Sequence, residues 1–301
     1  MNRTTDGHYL LNCSGRLLDL RSSAAVMGIV NLTPDSFSDG GMFQEAGGKA
    51  DLSRAVEYAL SMVRDGALVI DIGGESTRPG ASKVSADEEI RRTIPFISLL
   101  RKKSEVLISI DTYKSEVAEA ALDAGAQIVN DISGFTFDRN LPSICRKYHA
   151  AAILMHTPIT PDSMKWSTQT HSAVCDVTGT VTEFLQKAIA SAEHAGIDDI
   201  IIDPGFGFGK SVNENFRLLG NIPRFLELER PLLAGVSRKS FLGHAIRKNG
   251  EPEPAPAARY DATAAAQTIA LMHGAAIIRT HDVRAASHAV SIVSAMKRAI
   301  A

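Results

Sequence analysis

The sequence contains only three cysteines, Cys13, Cys145 and Cys175, an odd number at wide spacing, which excludes a disulfide framework and a paired-cysteine metal site. No run approaches the roughly 20 consecutive apolar residues that a membrane-spanning helix needs. Residues 1–20 lack the basic stretch, apolar run and small-residue cleavage site of a secretion signal, so a cytoplasmic location is expected. The glycosylation patterns at Asn12 and Asn31 are then chance matches. An excess of charge of either sign is missing too: 32 basic against 34 acidic side chains leave no global field for nucleic acid or an anionic membrane. There is no Ser-His-Asp order and no His-rich metal motif, which argues against a triad hydrolase and a zinc enzyme. His156, His273 and His288 read as structural or solvent-facing.

What the sequence has is apolar material, 45% of its residues, enough for a large core. Its 301 residues suit two small domains or one α/β barrel, and a single domain over 1–301 is expected. Short β-branched runs recur, each followed by a polar or glycine-rich turn and a segment of helical periodicity. The runs are Val26–Val30, Leu68–Ile72, Val106–Ile110, Gln127–Asn130, Ala151–Met155, Asp199–Ile202, Leu232–Gly235 and Ala276–Arg279. Nearly all apolar, they fit parallel strands covered on both faces.

Helices are expected near Lys49–Asp65, Ala86–Lys102, Ser115–Gly125, Leu141–His149, Val177–Gly196, Asn213–Leu228, Arg259–Gly274 and Val283–Arg298, with Gly66, Gly125, Gly196 and Gly274 at C-terminal caps. Eight βα units favour a closed (β/α)8 TIM barrel over an open doubly wound sheet. Tyr9–Leu20 alternates around Cys13-Ser14-Gly15 and predicts a β-hairpin plugging the barrel bottom. Glu251–Pro256, rich in proline, predicts an exposed, non-catalytic connection.

Nearly every predicted strand runs into a polar residue at its C-terminal end, the face that carries active sites in such barrels. These are Asn31, the run Gly73 to Arg78, Asp111, Asn130-Asp131, Asp203, Ser237-Arg238-Lys239 and Arg279-Thr280-His281. Singly, Asp111 and Asp203 could cap helices, Asn130 could satisfy a turn, and the cations could be surface groups. Together they form two sets. Arg78, Lys239, Arg279 and His281 can bind oxyanions, while Asp111, Asn130 and Asp203 offer hydrogen-bonding edges, a combination suited to a flat heterocycle carrying a multiply charged anion. The segment Asp203–Ser211 invites a phosphate-loop reading, but Pro204 stands where that pattern needs glycine.

The segments from Met27 to Gly41 and from Asp71 to Gly80 closely resemble the signatures of the dihydropteroate synthases. Ser109–Thr112, Asn130–Gly134, Asp203–Lys210, Gly235–Ser240 and Arg279–Val283 match in family order. The resemblance implies condensation of a pterin diphosphate with p-aminobenzoate, in a homodimer with Mg2+. It places the pterin against Asp111, Asn130, Met155, Asp203 and Lys239. It places the diphosphate near Asn31, Thr77, Arg78, Arg279 and His281, with Mg2+ on Asn31, and p-aminobenzoate near Phe208, Lys239 and Ser240. Loops at about 32–48 and 74–84 would close over the site, with Asp35 and Phe37 shielding a methylene cation. The stretch after Met155-His156, residues 157–166, departs from the short turn usual in the family and puts loop shape in doubt. Pterin-binding methyltransferase barrels share the Asp and Asn positions, but have no need of Ser76–Pro79 or Ser237–Ser240. A barrel that binds pterin without turnover should have lost some of Asn31, Arg78, Lys239, Arg279 or His281, and none is lost.

Overall fold

A computed structural model describes residues 2–3, 9–33, 52–77, 80–169 and 175–300. Eleven strands run in chain order: β1 (Asn2–Arg3), β2 (Tyr9–Cys13), β3 (Arg16–Asp19), β4 (Ala25–Asn31), β5 (Val69–Gly73), β6 (Leu107–Asp111), β7 (Ile128–Asp131), β8 (Ala151–Met155), β9 (Ile200–Asp203), β10 (Leu233–Ala234) and β11 (Ile277–Thr280). β4 to β11 form one parallel sheet in the order β10-β11-β4-β5-β6-β7-β8-β9. A parallel bridge between Ile202 and Leu232 joins the two ends, so the sheet closes as the eight βα units predict.

Successive strand residues point to opposite faces, and the barrel strands divide their side chains accordingly. Val26, Val30, Ile70, Ile72, Ile108, Ile110, Val129, Ala152, Leu154, Ile200 and Ile202 face outward into one core shared with the helices. The inward residues at the strand starts, among them Met27, Val69, Leu107, Ile128, Ile153, Ile201, Leu233 and Ile277, form a second core. Tyr9, Leu11, Cys13, Leu18 and Leu20 of the antiparallel β2–β3 hairpin belong to that second core. The hairpin therefore plugs the barrel bottom. Ser14 N–H donates to His149 O at 2.9 Å and Asn12 N–H to Asp199 Oδ1 at 3.0 Å, tying it to the residues before β8 and β9. Leu11 is fully buried, so Leu11→Ala is expected to lower stability by about 2–5 kcal/mol in urea unfolding, through lost transfer energy and the residual cavity. A loss below about 1 kcal/mol would mean that the plug is not part of the cooperative core.

The helices follow the sequence with two exceptions. The region expected as one helix over 213–228 breaks into Val212–Gly220, Ile222–Phe225 and a 3-10 turn at Leu226–Leu228. Pro223 explains the break, since in a continuous helix its ring would clash with the carbonyl four residues earlier and leave that carbonyl without a donor. A short helix at Ser240–Ile246 was not expected, being too brief to show a period in the sequence. No helix among the described residues is long and apolar enough to cross a membrane.

Candidate active site

Going up the barrel from the plug, the inward positions change from apolar to polar on nearly every strand. Val69 gives way to Asp71 and Gly73 on β5, Leu107 to Ser109 and Asp111 on β6, Ile128 to Asn130 on β7, Ile201 to Asp203 on β9, and Ile277 to Arg279 on β11. Strand register sets Asn31, Gly73, Asp111 and Asn130 side by side. A Cβ at Gly73 would lie 3.2 Å from Asn31 Oδ1 and 3.8 Å from Asp111 Cβ, so its lack of a side chain keeps that rung open.

Arg279 organises the floor. Its Nε donates to Asp71 Oδ2 and its Nη2 to Asp111 Oδ2, both at 2.6 Å, and Asn130 Nδ2 reaches Asp71 Oδ2 at 3.0 Å. Asp71 is wholly buried, and taking one partner from such an ion pair leaves an uncompensated charge. Burial pushes the Asp111 carboxyl up, against the pull of Arg279. The Asp203 carboxyl is also raised by burial, although Gly205 N–H donates to its Oδ1 at 2.7 Å. Burial, reinforced by the nearby Arg279 charge, lowers Lys239 to about 8. Its ammonium lies 4.2 Å from the centroid of the Phe208 ring.

The glycine-rich loop after β9 is built differently from a phosphate loop. Lys210 turns inward and donates to the carbonyls of Gly205 at 2.8 Å, Phe208 at 3.1 Å and His156 at 3.2 Å, which uses all three of its N–H donors. It fastens the loop to the end of β8 and is not available to an anion. Gly205, at φ +73°, would bring a Cβ to 2.0 Å from His156 O, so no side chain fits there. Asp131 is likewise structural: its carboxylate accepts from Ser133 N–H at 2.8 Å and Phe135 N–H at 2.5 Å.

Two adjoining cavities open above this floor. The deep one, about 20 Å3, is lined by Asp111, Asn130, Met155 and Asp203, with Ile132 and Phe206. The outer one, about 250 Å3, brings together Asn31, Thr77, Ser240 and His281. Lys239, Arg279, Phe208, Asp111 and Gly235 border both. His281 Nδ1 lies 3.0 Å from Ser237 Oγ, which also accepts from His281 N–H at 3.3 Å. Asp35, Phe37 and Arg78 lie outside the described residues.

Three wall residues escaped the sequence reading as site residues: Asp71 in the floor, and Trp166 and Arg259 around the outer cavity, where Glu75 of the expected run Gly73 to Arg78 also lies. Asp71 had a usable signal, as the one charged residue in an apolar strand, two positions before Gly73 on the same face. Trp166 had none. It lies on the divergent segment, where Met164 packs with Met155, Phe208 and Ile132, and Gly80 N–H donates to Pro161 O at 3.2 Å. The segment therefore joins the deep pocket to the loop after β5.

Comparison with known proteins agrees with this arrangement. A family model described as "Pterin binding enzyme" matches residues 27–281. The dihydropteroate synthase of Synechocystis sp. is 42% identical over 284 residues, 94% of this chain and 93% of that protein. Xanthomonas albilineans dihydropteroate synthase solved with 4-aminobenzoic acid superposes with a TM-score of 0.83 at 40% identity, covering 96% of this chain and 98% of that one. The same enzyme in complex with 7,8-dihydropteroate gives 0.81 at 36% identity, covering 96% and 99%. With its closed barrel, its charged floor and these relatives along nearly its whole length, the chain belongs to the pterin-binding enzymes and, within them, to the dihydropteroate synthase family.

Proposed function

We propose that this chain, acting as one domain over residues 1–301, condenses 6-hydroxymethyl-7,8-dihydropterin diphosphate with p-aminobenzoate to give 7,8-dihydropteroate and diphosphate. The observation that carries the proposal is the division of the site at Lys239 and Arg279, with hydrogen-bonding carboxylate and amide edges on one side and an anion-binding outer cavity on the other. The relatives solved with 4-aminobenzoic acid and with 7,8-dihydropteroate support it.

In this reading Asp111, Asn130 and Asp203 take the amino and ring N–H groups of the pterin, Lys239 donates to its carbonyl and ring-nitrogen edge, and Met155 packs on its face. Entry of the ring requires Lys239 and Phe208 to swing so that the two cavities merge. Arg279 engages carboxylates with only two of its five N–H donors, and with His281, Thr77, Arg78 and Asn31 it receives the diphosphate. p-Aminobenzoate stacks on Phe208 beside Lys239, its carboxylate at Ser240. The C–O bond to the diphosphate breaks first, the leaving group taking the electron pair, and a pterin-stabilised methylene cation remains. The aniline nitrogen then attacks that carbon and gives up a proton to diphosphate or solvent. Asp35 and Phe37 shield the cation. Electrostatic stabilisation and positioning carry the acceleration.

The Asn31 side-chain oxygen borders the outer cavity and is the kind of hard donor Mg2+ prefers, whereas no cluster of three His, Cys, Asp or Glu occurs among the described residues. Asn31 would be the residue that holds such an ion in the outer cavity. An Mg2+ ion held there would supply charge neutralisation for the diphosphate leaving group. We further read the protein as cytoplasmic and as a homodimer, with exposed Ile269, Met272, Ile292 and Met296 on the last two helices as the covered face.

Ionisation before attack is tested with substrate carrying 18O in the bridging position. Scrambling of the label into the non-bridging oxygens without p-aminobenzoate is the expected result. Turnover with no scrambling would replace the cation by direct displacement.

A further inference from the structure

Arg238 sits in the left-handed region, at φ +56°, as the third residue of a turn closed by Lys239 N–H donating to Val236 O at 3.3 Å. Glycine or asparagine ordinarily fills that position, because a Cβ there crowds the residue's own carbonyl oxygen, which glycine avoids and asparagine offsets by local hydrogen bonding. The conformation is held from outside. Arg238 N–H donates to Thr263 Oγ1 at 3.0 Å, and Arg238 O accepts from Arg259 Nη1 at 2.9 Å. The Arg238 guanidinium lies 4.7 Å from the centroid of the Tyr260 ring and donates to Tyr260 Oη at 2.6 Å. Three neighbours at the start of the helix Tyr260–Met272 thus grip one residue at its N–H, its side chain and its carbonyl.

Arg259 is itself fixed. It is 7% exposed, and its Nε donates to Pro254 O at 2.8 Å while Nη2 pairs with Glu253 at 3.0 Å. A Cβ at Gly243 would come within 2.6 Å of Arg259 Nε, so the helix Ser240–Ile246 carries a glycine where the guanidinium passes. The two residues that follow Arg238 are Lys239 and Ser240, one at the junction of the two cavities and the other on the wall of the outer one.

We propose that Arg259, anchored by the proline-rich segment, is a positioning residue: it locks Arg238 in the left-handed turn and so aims Lys239 and Ser240 at the substrates. The inference rests on the roles proposed above for those two residues. It also gives the segment Glu251–Pro256 a task, as the brace for Arg259.

The test is a double-mutant cycle. Arg259→Met is expected to lower kcat/KM for p-aminobenzoate about 100-fold, the size of effect that follows a misplacement of about 1 Å. Arg238→Gly added to Arg259→Met should recover about tenfold of that loss, because glycine takes the left-handed conformation unaided. Arg259→Lys should stay near the Arg259→Met level, since one ammonium cannot span the carbonyls of Pro254 and Arg238. Wild-type activity in Arg259→Met, no recovery with glycine, or full activity in Arg259→Lys would overturn the proposal, the last by showing that charge alone suffices. If Arg259→Met does not fold, Thr263→Val removes only the acceptor for Arg238 N–H, and unchanged activity there counts against it equally. A crystal structure of the Arg259→Met or Thr263→Val protein decides independently of turnover. Arg238 should leave positive φ and Ser240 should shift, and an unmoved turn would reject the proposal even if the wild type proved inactive and the proposed function failed.

Discussion

Replacing Lys239 with alanine is expected to cut turnover by about 10^2–10^3 with the fold intact, the loss typical of removing one preorganised donor from a reacting centre. The magnitude follows from its position. Its ammonium lies on the Phe208 ring at the junction of the two cavities, so both proposed substrates use it at once. The lowered pKa of about 8 gives a second signature. The charged form is needed, so kcat/KM for the pterin substrate should fall as pH rises through about 8, the descending limb reporting the free enzyme. Lys239→Arg, slower because a planar fork does not replace a point donor, should lose that alkaline limb, since guanidinium stays charged. A limb that persists in the arginine variant would assign the titration to another group.

The second large effect concerns Asp71. Asp71→Ala should both destabilise the barrel, by about 3–5 kcal/mol, and depress kcat/KM at least about 100-fold, because it strips one of two carboxylates from Arg279 and removes the carboxylate to which Asn130 Nδ2 donates. Denaturant unfolding and steady-state kinetics on the same preparation separate the two. Asp71→Asn, which keeps the shape and an acceptor oxygen, should be the milder on stability yet still impaired in turnover, as Arg279 then leans on Asp111 alone. Stability lost with kinetics unchanged would make Asp71 a fold residue that does not orient Arg279.

Local order along the chain was legible wherever one residue type had one physical meaning. Apolar runs of four to five residues marked strands to within a residue or two: Ala151–Met155, wholly apolar, was matched at both ends, whereas runs read as ending at Ile110 and Ile202 fell one residue short because the last strand residue is the polar Asp111 or Asp203. The hairpin was legible from its turn, and its seat in the barrel bottom from nothing more than the need to cover apolar strand starts. The rest depends on contacts between distant residues. That Arg279 serves Asp71 and Asp111 across separations of 208 and 168 residues is a product of barrel closure and register. Pro204 already spoke against a phosphate loop over Asp203–Ser211, but that Lys210 is spent on backbone carbonyls could not be read from a sequence that carries its charge and not its surroundings. Arg238 shows the same limit for the backbone: a positive φ imposed on a residue with a Cβ leaves no mark in composition.

The most direct test is to incubate the purified protein with 6-hydroxymethyl-7,8-dihydropterin diphosphate, p-aminobenzoate and Mg2+, and to identify the pterin product by mass. A product with the mass of 7,8-dihydropteroate, formed only with both substrates and with one diphosphate released for each, is the predicted result. Pterin bound in the pocket with no such product would contradict the account and leave a binding protein built on an enzyme's site.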